Sequence, residues 1–447
     1  MFTEEEPELA GRSEVEEMKV LRDYQSEACD YIENQLNHYR KPFVYCLATG
    51  AGKSLVISEL ASRCGQVLVL TLSAELCSQD YEEMKENGVN ASVFSASLDQ
   101  KNVGQITVAT VLSAYKNPWL FSITDVVIID ECDAVNPENM NTSFMKLLVE
   151  ISKARRKDGG VLKIVGLTAT PWRNVQKVSN FGRYYQTQTL IQPLNRIPCR
   201  KGGKGFLWSN IVEGLNTREA MDRGYLTPIN YYSRLLDTSK LTINSTGADY
   251  TEESLDNWGQ MAIHNCLDVM KKAERDLGTQ SGIVALPFIA HAEALARLCN
   301  EQGMSYTIVH SKTPTKARKE AIRAFKAGEI KWLVQCGVAT VGFNSPRTDT
   351  LVWCRPCLSL RLWVQAVGRV MRLYEGKKVA NVIDLAGTYN AFGRAEDVCL
   401  GTEDEYKTVI VSKGKKLSGE PLSEFRWTKP AKTDIVSSNE TNKETRK

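Results

Sequence analysis

Short, uniformly apolar segments alternate with amphipathic helical segments along most of the chain. In the first half, the segments long enough to form strands are residues 43–49, 66–72, 106–110, 125–130 and 161–170. Alternation of strands with helices is typical of parallel βαβ units, and strands without a polar face indicate a sheet covered on both sides. The sequence therefore predicts an α/β domain over residues 21–190.

The same alternation returns in the second half after an interruption. Its strand candidates are residues 229–236, 282–288, 305–310, 331–336, 348–354 and 379–386, which predict a second α/β domain over 228–400. Residues 175–225 show little periodicity, and residues 191–227 are predicted to be an irregular linker with a basic, glycine-rich loop.

Both ends of the chain differ from the two predicted domains. Residues 1–20 form an acidic N-terminal tail, and residues 401–447 form a C-terminal extension with a polar end that lacks aromatics and is expected to be disordered. The part of the extension from Ser412 onward could pack back on a domain or touch DNA.

Composition excludes several classes of protein. The chain of 447 residues is 43% hydrophobic and 24% charged, with a net charge of +3, which is an ordinary globular balance and not that of a polybasic protein. A near-neutral total still permits a local basic groove for nucleic acid. No apolar run reaches the ~18–20 residues needed to span a bilayer. Seven glutamates in the first 17 residues are the opposite of a signal peptide. Membrane and secreted proteins are therefore excluded.

The cysteines do not indicate a metal centre. Twelve are scattered along the chain, mostly in apolar runs, and the only close pair is Cys354 and Cys357. A zinc site needs four ligands, and no second Cys or His pair lies at metal spacing. We expect a reduced protein without a zinc site.

A glycine-rich segment follows the first predicted strand and begins a predicted helix. Glycines let backbone amides close around phosphate oxygens, and the helix N-terminus adds positive potential. Lys53 can reach the β- and γ-phosphates, and the Ser54 hydroxyl suits Mg²⁺. The first glycine of the usual pattern is replaced by Leu47, so this segment alone leaves a simple glycine turn possible. The predicted nucleotide-binding residues are Thr49, Gly50, Ala51, Gly52, Lys53 and Ser54.

A second segment points to the chemistry. The apolar run 125–130 ends in Asp130-Glu131-Cys132-Asp133, which places two adjacent carboxylates at the carboxyl end of a buried strand. Asp130 is predicted to hold Mg²⁺, and Glu131 to orient or deprotonate the attacking water, because phosphoryl transfer needs charge neutralisation and a positioned nucleophile. Together the two segments predict a nucleotide hydrolase that uses Mg²⁺.

In chain order, the segments resemble the motifs of superfamily 2 helicases of the DEAD/DEAH-like class. The resemblance is closest to RadD-like and phage branch-migration helicases. In the first domain it rests on residues 21–25 (the Q motif), 47–54 (motif I), 67–79 (Ia), 107–113 (Ib), 130–133 (II) and 168–170 (III). In the second domain it rests on residues 283–295 (motif IV), 339–346 (V) and 365–372 (VI).

The resemblance implies a fold and a nucleotide pocket. The fold class is α/β, with two RecA-like domains whose mostly parallel sheets are joined by the irregular linker, and with ATP between the domains. Arg22 would stack on the adenine ring and Gln25 would recognise it by paired hydrogen bonds. Gly342 and Asn344 of motif V would also bind the nucleotide. Asn344 stands where the family usually carries Asp, and its amide can still hydrogen-bond a ribose hydroxyl.

Motif VI completes the predicted catalytic set. Arg369 and Arg372 are three residues apart on a helix, so both face the same way. Arginine fingers supplied across a cleft stabilise charge on the γ-phosphate. The predicted catalytic residues are Lys53, Asp130, Glu131, Gln365, Arg369 and Arg372.

The resemblance also implies a nucleic-acid face. Hydroxyls and backbone amides that contact phosphate give binding that is independent of base sequence. The basic cluster at residues 153–157 is either a DNA contact or a solvated turn. The basic loop before residues 206–208 could grip or wedge a duplex junction, or it could be a mobile linker followed by a hydrophobic helix start. The predicted nucleic-acid residues are Ser73, Thr110, Arg200, Lys201, Lys204, His310 and Thr340, with Arg196 beside that loop.

The sequence thus predicts an ATP-dependent DNA helicase or translocase. It would act on single-stranded, forked or branched DNA in replication, recombination or repair, with unwinding or branch migration. We expect it in the cytoplasm of a bacterial or phage-infected cell, with the nucleoid. Two alternatives stay open: an RNA helicase, and an ATP-switched remodelling or sensor protein that binds duplex without unwinding it.

Overall fold

The computed structural model describes residues 20–181, 184–200, 203–336, 344–404 and 407–422. Its helices are α1 (Asp23–His38), α2 (Lys53–Arg63), α3 (Ala74–Glu86), α4 (Val111–Ala114), α5 (Ser143–Lys157), α6 (Thr217–Asp222), α7 (Glu252–Asp276), α8 (Ile289–Glu301), α9 (Thr315–Ala327), α10 (Leu360–Val367) and α11 (Thr388–Phe392). The strands up to the middle of the chain are β1 (Phe43–Leu47), β2 (Val67–Thr71), β3 (Ser92–Ser95), β4 (Gln100–Lys101), β5 (Ile106–Thr110), β6 (Val126–Asp130), β7 (Lys163–Thr168), β8 (Trp172–Phe181), β9 (Tyr184–Pro193) and β10 (Ile211–Leu215). The later strands are β11 (Ile229–Ser233), β12 (Gly282–Ala285), β13 (Tyr306–Val309), β14 (Trp332–Gln335), β15 (Thr350–Trp353), β16 (Ala380–Asp384), β17 (Val398–Glu403), β18 (Lys407–Ser412) and β19 (Lys415–Lys416).

The first sheet has eight strands in the order β10-β1-β7-β6-β2-β5-β3-β4. All neighbours are parallel except β3 and β4. Strands β1, β2, β5 and β6 are buried along their whole length, which accounts for their uniformly apolar sequences. Their carboxyl ends lie at one edge, where ligands bind in open α/β sheets.

The second sheet has six strands in the order β11-β16-β15-β12-β14-β13, and every neighbouring pair is parallel. Its core contains Trp332, Trp353 and Trp363, all fully buried. Each indole nitrogen donates a hydrogen bond, as a buried indole requires. For example, Trp353 donates to Thr388 Oγ1 at 2.9 Å. The predicted α/β class with mostly parallel sheets is confirmed.

The predicted linker over 191–227 is more ordered than the sequence indicates. The antiparallel hairpin β8–β9 precedes it, and within it β10 joins the first sheet as an edge strand beside β1. The hydrophobic periodicity is weak here because β10 is exposed in its middle and the hairpin β8–β9 lies outside the two main sheets. The expectation of a helix start at 206–208 is wrong. Trp208 is fully buried in the first domain, while Phe206 is 50% exposed.

The described part of the C-terminal extension packs back on the first domain. Strands β17, β18 and β19 form an antiparallel sheet. Asn195 Nδ2 donates to Thr408 Oγ1 at 3.0 Å, and Gly419 N donates to Ile191 O at 2.9 Å. Of the two alternatives for this stretch, packing on a domain is therefore the one observed. The predicted acidic tail lies outside the described residues except for Val20, as does the polar end beyond residue 422.

No helix in the described ranges combines the length and the apolar character that crossing a membrane requires.

Candidate active site between the two domains

The glycine-rich segment forms a tight loop between β1 and α2. Gly50 and Gly52 both have left-handed backbone conformations, with φ of +87° and +76°. A Cβ atom on Gly52 would lie 2.5 Å from Gln25 Nε2, so no larger residue fits there without a shift. Gly52 is the N-cap of α2, and its helix N-terminus therefore faces the cleft between the two domains.

Two acidic residues at the end of β6 face this loop. Lys53 Nζ lies 3.5 Å from Glu131 Oε1. Glu131 has a φ of +48°, a left-handed conformation that costs energy for a residue with a side chain and often occurs at functional sites. Asp130 is 3% exposed, and burial together with the charges of Asp80 and Glu131 raises its pKa well above the ordinary value. This acidic edge therefore attracts cations.

Helix α10 of the second domain lies directly against the phosphate loop. Gln365 Nε2 donates to Glu131 Oε2 at 3.4 Å and lies 3.5 Å from Thr170 Oγ1. A Cβ atom on Gly368 would lie 2.2 Å from Thr49 Cγ2, so the two domains approach as closely here as glycine allows. The site is therefore composed of both halves of the chain.

Arg369 and Arg372 line the same cleft as Lys53. The prediction that both lie on a helix is wrong, because α10 ends at Val367 and the two arginines follow it in a turn. Burial lowers the pKa of Arg372, and the neighbouring charge of Arg369 lowers it further. Burial also lowers the pKa of Arg369, while the Glu131 carboxylate opposes that change. A guanidinium stays charged in proteins, so the two groups bring poorly solvated positive charge into the cleft. An anion with several oxygens would relieve this.

The cleft has a volume of about 300 Å³ and continues from the phosphate loop to an aromatic end. There the Arg22 guanidinium carbon lies 5.2 Å from the centre of the Tyr225 ring, and the Tyr225 hydroxyl donates to Asp23 Oδ1 at 2.7 Å. A flat base could stack on this pair. Asn344 Oδ1 is a buried acceptor at the cleft that has no hydrogen-bond partner among the described residues.

Asp133 connects three segments of the site, a role that the sequence analysis did not foresee. It is fully buried, and its oxygens accept hydrogen bonds from Thr168 Oγ1 and Thr170 Oγ1, both at 3.1 Å. Arg361 at the start of α10 forms an ion pair with the same carboxylate. Burial raises the pKa of Asp133, and the Arg361 guanidinium opposes that increase. Asp133 thus joins the end of β6, the end of β7 and the second domain.

Helix α3 contributes two further polar groups that the sequence analysis missed. Gln79 Nε2 donates to Ser54 Oγ at 3.0 Å. Asp80 is fully buried, and burial raises its pKa to about 7 while the nearby Ser54 hydroxyl opposes the increase. A carboxylate on the apolar side of α3, where Leu76, Cys77 and Met84 are buried, was the available sequence signal.

The residues at this edge fit a divalent cation bound together with a nucleotide. Ser54 supplies a hydroxyl, and Asp130 supplies a buried carboxylate with a raised pKa, the oxygen ligands that Mg²⁺ prefers. The described residues contain no group of three or more His, Cys, Asp or Glu side chains that could hold a metal ion alone. Phosphate oxygens would therefore have to complete the coordination.

Comparison with known proteins agrees with this geometry. Residues 18–173 match the family described as type III restriction enzyme, res subunit, and residues 263–374 match the helicase conserved C-terminal domain. The chain is 24% identical over 432 residues to "Putative ATP-dependent helicase IRC3" of Saccharomyces cerevisiae, covering 90% of this chain and 57% of that protein. It is 26% identical over 351 residues to a 51.5 kDa protein of a Lactococcus phage (isolate 7-9), covering 77% of this chain and 65% of that one. The chain belongs to the superfamily 2 helicases.

Solved structures agree with this assignment. The ATP-dependent type ISP restriction-modification enzyme LlaBIII bound to DNA superposes with a TM-score of 0.58 at 15% identity, over 83% of this helicase and 28% of that chain. The prediction of two RecA-like domains is confirmed. This helicase spans less than two thirds of the length of the curated relatives above. The closer resemblance to RadD-like proteins stays a prediction.

Most of the nucleotide residues predicted for this helicase surround one cleft. Those that line it are Arg22, Thr49, Gly50, Gly52, Lys53, Ser54, Asp130, Glu131, Asn344, Gln365, Arg369 and Arg372. Ala51 and Gln25 do not line it. Gln25 Nε2 donates to Ala51 O at 3.1 Å and its Oε1 accepts from Arg22 N at 2.9 Å, so both ends of the amide are already used. Gly342 lies outside the described residues.

Three of the residues predicted to contact nucleic acid have partners within the protein. Ser73 caps α3, with its Oγ accepting from Leu76 N at 3.3 Å. Thr110 Oγ1 donates to Ser113 Oγ at 2.9 Å. His310 Nε2 lies 4.0 Å from Glu293 Oε1.

The basic residues predicted for the same face differ in their surroundings. Arg200 and Lys204 are exposed, and Lys201 and Thr340 lie outside the described residues. The cluster at 153–157 ends α5, where Arg155 pairs with Asp125 Oδ1 at 2.5 Å, just before the amino end of β6. That is the opposite end of the strand from Asp130, which favours the interpretation as a solvated turn.

Proposed function

We propose that this protein is a nucleic-acid motor that uses ATP and Mg²⁺ and acts on forked or branched DNA. The observation that carries the proposal is the cleft shared by the two domains. Lys53 and Glu131 lie on one side of it, and Arg369 and Arg372 lie on the other. Hydrolysis at such a site can occur only while the two domains are together, so each turnover is linked to a domain movement.

The first domain would bind the triphosphate. The amides at the start of α2 and the Lys53 ammonium hold the phosphates, while Arg22 and Tyr225 stack on the base. Asn344 Oδ1 accepts from a ribose hydroxyl. Ser54 and Asp130 would hold Mg²⁺, which when bound neutralises charge on the β- and γ-phosphates.

The two domains would share the catalytic step. Glu131 accepts a hydrogen bond from Gln365 and lies beside Lys53, so its carboxylate is held in place to orient the attacking water. Arg369 and Arg372 stabilise the negative charge that develops on the γ-phosphate. Because both arginines come from the second domain, domain separation switches the reaction off.

The ion pair between Asp133 and Arg361 would link closure of the two domains to the surroundings of Glu131. Asp133 is the last residue of the acidic segment and holds Thr168 and Thr170 of the first domain, while Arg361 starts the helix that carries Gln365. A movement of α10 therefore changes the surroundings of Glu131 directly. Such a contiguous link between a domain interface and a reacting group is what a motor requires.

Two comparisons support DNA as the substrate. The family matched over residues 18–173 is that of a restriction enzyme subunit, and the structural neighbour LlaBIII is bound to DNA. The phage relative supports a place in a bacterial or phage-infected cell, beside its DNA. Replication, recombination or repair, with unwinding or branch migration, would be the setting for such a motor.

The proposal is tested by ATP hydrolysis and strand displacement on matched substrates. The panel is single-stranded, duplex, forked and four-way DNA and the same strands as RNA, with Lys53→Ala as the inactive control. We expect forked or four-way DNA to stimulate hydrolysis most and to be unwound.

Other outcomes support the two alternatives. Preferential stimulation and unwinding of RNA would overturn the DNA assignment. Tight duplex binding with one ATP hydrolysed per complex and no displacement would indicate a switch rather than a motor.

A further inference from the structure

A buried carboxylate, to which no family motif in the sequence assigns a role, lies behind the predicted Mg²⁺ ligands Ser54 and Asp130. Asp80 lies in the second turn of α3, and its side chain is fully buried. Neither of its carboxylate oxygens has a hydrogen-bond partner among the described residues. Burying a carboxylate without partners costs free energy, and such groups are usually paired or lie at a bound cation.

The surroundings of Asp80 are the predicted ligands of the cation. Ser54 lies within reach of Asp80 and favours its charged form, although no hydrogen bond of regular length and angle joins them. Asp80 is also the neighbour whose charge acts most strongly on Asp130. Helices α2 and α3 pack against each other, so Ser54, Asp80 and Asp130 come from three adjacent elements.

Acidic residues from two elements meet beside one lysine at this point. Asp80 and Asp130 are both buried, and Lys53, which lies 3.5 Å from Glu131, is near both of them. The Ser54 hydroxyl lies beside the same group. A divalent cation satisfies such a site better than a second lysine would, because it also takes the hydroxyl as a ligand.

We propose that Asp80 is a positioning residue of the divalent-cation site and acts through Ser54. Asp80 has no surface on the cleft, so it does not contact the nucleotide. Its carboxylate accepts the hydroxyl proton of Ser54 and thereby turns an oxygen lone pair towards the cation. Gln79 Nε2 donates to that oxygen at 3.0 Å, so Gln79 would have to give up this hydrogen bond for Ser54 to hold the cation. The inference rests on the proposed use of ATP with Mg²⁺.

Groups behind a metal ligand typically change metal affinity by about 10–100-fold when removed. The test is Asp80→Asn, which keeps the shape of the side chain and removes its charge. Binding of a fluorescent, non-hydrolysable ATP analogue is measured while Mg²⁺ is varied, and binding of Mn²⁺ with the same analogue is measured by electron paramagnetic resonance. We expect the half-saturating Mg²⁺ concentration to rise about 10-fold or more. The analogue's affinity without metal should stay within about twofold of the wild type.

Two controls separate a metal role from a structural one. Glu82→Gln changes an exposed acid on the same helix and should leave metal dependence unchanged. Thermal unfolding without metal should show Asp80→Asn to be at least as stable as the wild type, because the variant removes a buried carboxylate without partners. Unchanged Mg²⁺ and Mn²⁺ dependence in Asp80→Asn would overturn the inference. Absence of analogue binding in the wild type, with or without metal, would instead overturn the proposed function.

Discussion

The nucleotide cleft and the predicted nucleic-acid face differ in how their polar side chains are used. In the cleft, Lys53, Glu131 and Arg372 line one domain boundary, and burial lowers the pKa of Arg372 because its charge is poorly solvated there. On the predicted nucleic-acid face, Ser73 caps a helix and Thr110 hydrogen-bonds its neighbours. The first region collects charged groups at a cleft between two domains, and in the second the hydroxyls of Ser73 and Thr110 are hydrogen-bonded within the protein.

The difference follows from the chemistry of the two ligands. Phosphoryl transfer needs charged groups at fixed positions, and these must be assembled before the reaction. Binding to a nucleic-acid backbone uses hydroxyls, amides and exposed basic residues that have other uses when no strand is present. We therefore expect substitutions in the cleft to have large and specific effects, and substitutions on the other face to have small ones.

The largest effect is expected from Arg369→Ala. Loss of an arginine that stabilises the γ-phosphate should lower the rate of ATP hydrolysis by about 10³-fold or more, while ATP binding changes little. Steady-state hydrolysis and equilibrium binding of an ATP analogue measure the two quantities. Arg323→Ala, on the exposed face of α9 and paired with Glu320 and Glu329, is the matched control. Normal hydrolysis by Arg369→Ala would contradict the shared-cleft mechanism.

The next effect concerns coupling between the domains. Arg361→Met leaves the buried Asp133 carboxylate without its ion-pair partner, which should lower DNA-stimulated hydrolysis by about tenfold and also lower stability. Fluorescence energy transfer between labels on the two domains, with and without an ATP analogue, reports closure.

The double variant Asp133→Asn with Arg361→Met serves as its control. It should regain stability, because no buried charge is left unpaired, but it should not regain stimulation. Full stimulation in the double variant would show that the ion pair has only a structural role.

A smaller effect is expected on the nucleic-acid face. Arg200→Ala with Lys204→Ala removes two exposed cations, so the slope of log affinity against log salt should fall by about 1–2 units if both contact phosphate. Fluorescence anisotropy on labelled single strands over a salt series measures this slope. Lys153→Ala with Arg156→Ala removes the same charge at the end of α5 and should leave the slope unchanged. Equal slopes in both double variants would remove the basic loop from the interface.

The smallest effect separates helix capping from phosphate binding. Ser73→Ala should cost about 1 kcal/mol of stability through loss of the cap, with DNA affinity within about twofold of the wild type. Thr142→Ala removes a cap of the same kind on α5, where Thr142 Oγ1 accepts from Met145 N at 3.4 Å. Similar melting temperatures for the two variants, with weaker DNA binding only in Ser73→Ala, would indicate that Ser73 also contacts phosphate.

The sequence was sufficient to predict the two sheets and the phosphate side of the cleft. The strands at the centre of both sheets are short, buried and uniformly apolar. The charged residues follow these strands at the spacing of the superfamily 2 helicase motifs. It was not sufficient for β10, which is an edge strand with an exposed middle, or for the hairpin β8–β9. Asp80, Asp133 and Arg361 were missed because their roles depend on contacts between elements distant in the chain.

The small sheet β17–β19 constrains how the two halves can separate. It follows directly from the second domain, yet Thr408 of β18 accepts a hydrogen bond from Asn195, and Gly419, just beyond β19, donates one to Ile191 in β9. The C-terminal sheet therefore connects the two halves of the chain along one side. We expect the nucleotide product to be released when the two domains rotate about this connected side. A rotation of a few degrees there would move the opposite side of the cleft by several ångströms.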